Sequence, residues 1–196
     1  MTAGARPDNG RRSLLGTLNS KYHEVALGLF MVIVVAHWAE HLVQAFQIWA
    51  LDRPRPKARG VLGQWFPVLV SSEWLHYGYA IVMLVFLFAL RSGFTGRAKR
   101  WWTIALAIQF WHHIEHFLLL LQAQLDTNFF GGAVPTSVAQ TFFPRVELHL
   151  FYNTIVTIPM VVAVILHKWP NKAERQAAAC NCAVAPKEPV GAGSGR

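Results

Sequence analysis

The segment His112-His113-Ile114-Glu115-His116 sits inside a run, Trp101 to Leu125, that otherwise contains only Trp, Thr, Ile, Ala, Leu, Gln and Phe. Such a run exceeds the roughly 20 residues that span the hydrocarbon core of a bilayer as a helix. Helix is the expected form, because in lipid every backbone N–H and C=O must find its partner within the span. Imidazole and carboxylate are costly there and are expected to face a protein interior.

Outward from this stretch the same H-x-x-E-H pattern recurs as His37-Trp38-Ala39-Glu40-His41, inside the apolar run 25–51. Glutamine follows both patterns at the same offset, as Gln47 and Gln122. Two further apolar runs, 67–90 and 144–167, are introduced by Gln64-Trp65-Phe66-Pro67 and Gln140-Thr141-Phe142-Phe143-Pro144. Each then carries a glutamate and a histidine: Glu73 and His76, then Glu147 and His149. The second proline-to-histidine interval is shorter by about one helical turn. The sequence predicts an all-α, integral membrane four-helix bundle, with helices at about 25–51, 67–90, 101–125 and 144–167, built as a tandem duplication of a two-helix unit.

Of the 196 residues, 54% are hydrophobic and 14% charged, against roughly 25% charged in soluble domains. A net charge of +8 would suit nucleic acid. Lysine and arginine, however, fall between the apolar runs or toward the ends, and no helix-turn-helix, zinc-finger or RNA-binding signature is present. The expected partner is the lipid bilayer, not nucleic acid. Residues 1–24 are polar, and the apolar run after them is too long for a signal-peptide core, so it reads as a retained first helix. Basic residues gather in 1–24, at Arg91, Arg97, Lys99 and Arg100, and from Lys168 onward. That places both termini in the cytoplasm of a multi-pass plasma-membrane protein, with Arg53, Arg55, Lys57 and Arg59 opposing. Residues 25–168 form the membrane domain, and 169–196 are expected to be a disordered cytoplasmic tail, rich in Ala, Gly and Pro from Ala177 on. Its Cys180-Asn181-Cys182 could hold a soft metal, although such a pair is more often incidental. His23, Glu24 and His167 read as ordinary residues at helix ends.

Residues i, i+3 and i+4 share a helical face. His37, Glu40 and His41 therefore project together, as do His112, Glu115 and His116. Glu73 and His76 are i, i+3, with Tyr77 beside them. His149 shares a face with Tyr152 and Asn153, while Glu147 points elsewhere and suits Arg145 or the helix start. Counted from the cytoplasmic ends, His41, His116, His76 and His149 come at roughly 24, 22, 21 and 27 Å, one layer in the outer half of the membrane. The expected metal ligands are His37, Glu40, His41, Glu73, His76, His112, Glu115, His116 and His149. His113, Tyr77, Glu147, Tyr152 and Asn153 are candidates to brace them. A single membrane histidine is often only an interhelical hydrogen bond, worth about 1 kcal/mol; two copies of one pattern at matching depth ask for more.

Imidazole suits iron, copper, zinc or nickel, and adjoining carboxylate favours iron, manganese or zinc. The donors exceed what one tetrahedral ion needs, so the expected cofactor is a transition metal in two ions, from iron, zinc, copper or manganese. The arrangement resembles di-iron carboxylate four-helix bundles, where Glu and Glu-x-x-His project inward. In general logic it also looks like the histidine-box membrane desaturases and hydroxylases. It is richer in histidine than the first and lacks the H-x-x-H-H box of the second, so it is assigned to neither. The resulting expectation is an intramembrane metal protein with oxidoreductase chemistry on a lipid or quinone. The alternatives are a b-type haem electron-transfer protein, a metal-ion or proton transporter, or a small subunit of an oligomer or larger membrane complex.

Overall fold

The computed structural model describes residues 13–184, among which there is no strand. A short helix α1 (Leu14–Leu18) precedes α2 (His23–Trp49). The first loop carries α3 (Leu62–Trp65) and α4 (Pro67–Ser71) and leads to α5 (Glu73–Leu90). A tight turn enters α6 (Gly96–Leu125), and a long loop then reaches α7 (Arg145–Lys168) and α8 (Lys172–Ala177). Helices α2, α5, α6 and α7 are long and apolar enough to cross a membrane. They form a ring in which α2 and α6 each pack against both α5 and α7.

The helix expected over 67–90 is broken. Ser72 is extended (φ −79, ψ 126) and its hydroxyl accepts from Trp74 N at 3.2 Å, so it caps a new helix that starts at Glu73. The residues ahead of that cap form the separate short helix α4. His76 then stands three residues after its helix start and His149 four after Arg145, which brings the two histidines to matching depth. Helix α6 starts at Gly96, ahead of the expected Trp101.

One end of the ring is apolar: Phe30, Leu87, Leu90, Trp102 and Met160 are fully buried, and Trp102 Nε1 donates to Leu87 O at 2.7 Å. If lipid surrounds the ring, helix association gains nothing from the hydrophobic effect and depends on close packing. Buried Ala80, Ala98, Ala105 and Ala163 permit that approach. The other end is polar inside, with His41, Gln44, Glu115, His116 and His149 buried. Outward faces carry exposed Val25, Leu29, Val32, Phe88, Phe110, Ile158 and Ile165, as suits helices apolar enough to cross a membrane.

The segment 169–184, expected to lack fixed structure, folds back on the bundle. Asn171 and Glu174 form a reciprocal capping box at the start of α8. Glu174 also takes the Arg97 guanidinium at 3.0 and 2.9 Å. Those hydrogen bonds hold its carboxyl at about 2, so the pair persists until pH falls to that range. Val184 N donates to Lys168 O at 2.9 Å, and Cys180 and Cys182 are buried. Composition concealed this because the segment is held by a cap, an ion pair and two side chains rather than by an apolar face. The disorder expected for 185–196 lies outside the described residues, as do Arg6, Arg11, Arg12, Lys187 and Arg196 of the topology count.

Candidate functional site

Six imidazoles converge at the polar end of the ring: His37 and His41 from α2, His76 from α5, His112 and His116 from α6, and His149 from α7. His149 is central. Its ring centroid lies 5.1 Å from that of His41, 5.2 Å from His116, 5.8 Å from His112 and 5.9 Å from His76. The i, i+4 spacing on α2 brings His37 Nε2 and His41 Nε2 to 3.1 Å, and on α6 His112 Nε2 and His116 Nε2 to 3.2 Å. Two nitrogens bound to one ion at 2.0–2.1 Å, with an angle of about 100° between them, lie about 3.1 Å apart. A plain N–H···N hydrogen bond has the same length, so distance alone does not separate the two.

The tautomers are more informative. His76 Nδ1 donates to Ser72 O at 2.9 Å and His149 Nδ1 to Arg145 O at 2.7 Å. A carbonyl oxygen only accepts, so each neutral ring carries its proton on Nδ1 and its lone pair on Nε2. His41 Nδ1 meets Gln44 Oε1 at 2.7 Å in the same sense. Orientation of a ligating ring by a carbonyl on its far nitrogen is the usual support of a metal-bound histidine. His149 Nε2 is buried without a partner among four other rings.

The three glutamates expected as ligands each have hydrogen-bond partners outside the imidazole layer. Glu40 accepts from Leu62 N at 2.7 Å. Glu115 accepts from Ser137 Oγ at 3.0 Å and from Ala139 N at 2.9 Å, using both oxygens. Glu73 receives two bonds from Arg145, both 2.7 Å. Leu62 and Ala139 stand at the same offset before Pro67 and Pro144. The glutamines that follow each pattern also hold the loops: Gln47 exchanges two hydrogen bonds with Gly60, and Gln122 donates to Thr136 O and accepts from Phe129 N. Gly60 has φ +69, a backbone conformation that favours glycine, and a Cβ there would lie 2.1 Å from Glu40 Oε1 and displace that carboxylate. Glu40 and Glu115 lie where the loops return over the bundle, and loop N–H groups at that point are invisible to helical periodicity.

Of the bracing candidates, Tyr152 stacks on His112 at 4.3 Å and accepts from Trp111 Nε1 at 2.9 Å. Tyr77 stacks on His113 at 5.2 Å, apart from the six rings. Glu147 pairs with Arg55, and Asn153 Nδ2 is buried without a partner. Tyr79, not anticipated, stacks on His37 at 3.6 Å. Comparison of His76-x-x-Tyr79 with His149-x-x-Tyr152 would have found it. A cavity of about 540 Å³ leads from the loops to His41, His76 and His149, with Glu73, Arg59 and Arg145 on its wall.

A second group lies at the opposite end. His23, His167 and Cys182 are buried, and one ligand atom from each lies within 4.8 Å of the others, a set able to coordinate one metal ion. His23 and His167 had read as ordinary helix-end residues and the cysteines as incidental. Nothing in their spacing announces the group, because the folded tail assembles it.

The chain is therefore an all-helical protein with four long apolar helices and a buried His/His/Cys group fit for a metal ion. Comparisons with protein-family models, curated proteins and solved structures give no match.

Proposed function

We propose that this chain is an integral membrane metalloprotein whose working site is the six-imidazole layer, with one ion at each i, i+4 pair and His76 and His149 completing the coordination. The observation that carries the reading is His149: a central ring, its proton committed to Arg145 O, its Nε2 buried among four imidazoles without a partner. Leaving such a nitrogen unsatisfied costs about 1–3 kcal/mol, and a metal ion removes that cost. Imidazole donors suit copper, iron or zinc, and with Glu40 and Glu115 held by loops and Glu73 by Arg145 manganese recedes. Haem is less suited, since rings in mutual contact leave no slot of porphyrin width.

Tandem duplication of a two-helix unit is supported by equal roles at equal offsets. In each half the first histidine of H-x-x-E-H meets a tyrosine, the glutamate meets a loop N–H, and the glutamine holds the same loop. Oxidoreductase chemistry is supported by Tyr79 and Tyr152, one-electron donors in contact with a proposed ligand of each ion, and the cavity would admit a lipid or quinone headgroup. Metal analysis of detergent-purified Cys180→Ser, Cys182→Ser protein, in which the tail thiols cannot contribute, should find about two equivalents of a first-row transition metal. Folded protein without stoichiometric metal, even after incubation with copper, iron and zinc, rules the reading out.

Basic residues at Arg91, Arg97, Lys99, Arg100, Lys168 and Lys172 support cytoplasmic termini in a plasma-membrane protein. Reporter fusions after Arg100 and Lys172 should read inside, and one after Arg59 outside. An outside signal at Lys172 would overturn this topology.

A further inference from the structure

A second buried thiol, Cys180, stands beside the His23, His167 and Cys182 group. Cys180 Sγ lies 3.3 Å from His167 Nε2. A sulfur at 2.3 Å and a nitrogen at 2.0–2.1 Å on one ion, separated by a tetrahedral angle, lie about 3.5 Å apart. Two imidazoles come from the ends of α2 and α7, and two thiols from the returning tail. His23 is fully buried and neither of its ring nitrogens has a hydrogen-bond partner. Its ring is pressed against Gly93, where a Cβ would come within 2.3 Å, so the chain makes room for an imidazole that then bonds to nothing. A buried ring left in that state is disfavoured unless something binds it.

We infer that His23, His167, Cys180 and Cys182 form a closed tetrahedral site for a thiophilic d¹⁰ ion, zinc(II) being the one this donor set suits, and that the ion fastens the C-terminal segment to the ends of α2 and α7. The set is Cys₂His₂, a composition characteristic of structural zinc sites, and all four residues are buried, which leaves no open position for substrate. On binding, each thiol enters as thiolate and releases one proton to solvent. The site is separate from the imidazole layer: His23 is the first residue of α2 and His41 lies 18 residues on, roughly 27 Å along the helix. The two also differ in chemistry, thiolate–imidazole here and imidazole there.

Cobalt(II) distinguishes them, because only a thiolate ligand gives sulfur-to-cobalt charge transfer. Reduced, metal-stripped full-length protein in detergent is titrated with cobalt(II). The expected result is a near-ultraviolet charge-transfer band with intense visible bands of tetrahedral cobalt, saturating near one equivalent and abolished by zinc(II). The band should persist in His37→Ala, His41→Ala protein and vanish in Cys180→Ser, Cys182→Ser protein. In parallel, zinc(II) should shield both thiols from alkylation by at least about 10-fold, reversed by a chelator. Absence of the band in folded wild-type protein, its survival without the cysteines, or alkylation indifferent to zinc would each overturn the site. Failure of the imidazole layer to bind metal would leave this band intact, and loss of this band would leave the metal content of the layer intact.

Discussion

His149→Phe is expected to empty the imidazole layer, lowering its metal affinity by more than about 100-fold, with helix content and membrane insertion retained. Loss of groups that merely support a ligand costs 10–100-fold, and His149 is the ring that four others surround at 5.1–5.9 Å. Phenylalanine fills the space and removes only the nitrogens. The control is His113→Phe, because His113 stacks on Tyr77 outside the cluster and its replacement should leave metal unchanged. A purely hydrogen-bonded polar layer gives a different result: neither replacement alters metal content, and only stability changes. Equal metal content in the two variants, measured by elemental analysis, would therefore reject the imidazole site.

Glu115→Ala is expected to release the loop 126–144 while Glu115→Gln holds it, with metal retained in the glutamine variant. The carboxylate is buried and receives Ser137 Oγ and Ala139 N. Alanine leaves both donors without an acceptor, at about 1–3 kcal/mol for each that stays buried. Glutamine keeps one carbonyl oxygen for Ala139 N, and its NH₂ can donate to the Ser137 hydroxyl. Limited proteolysis should cut the loop several-fold faster in the alanine variant than in the parent. A glutamine variant with an intact loop but depleted metal would return the carboxylate to the ligand set, as the H-x-x-E-H spacing first implied.

The two H-x-x-E-H patterns and the four apolar runs were legible without coordinates because each signal is local. Helical periodicity places His37 beside His41 and His112 beside His116 whatever surrounds them. The depth of His76 was less legible, since Ser72 restarts the helix and only the capped backbone shows that α4 is separate from α5. Tyr79 carries a local signal too, since it repeats the offset of Tyr152.

The chain's own order of residues determined that its helices are long, apolar and armed with imidazole on one face. Which partner each polar side chain takes was decided in three dimensions. Glu40 and Glu115 share a helical face with the histidines, yet the returning loops bring backbone N–H groups to them first. His23 and His167 meet the cysteines only because α2 begins where α7 ends and Glu174, clasped by Arg97, turns the tail back over them. Periodicity reports which way a side chain points along its own helix; what stands there depends on where distant segments of the chain are folded, and no local pattern carries that distance.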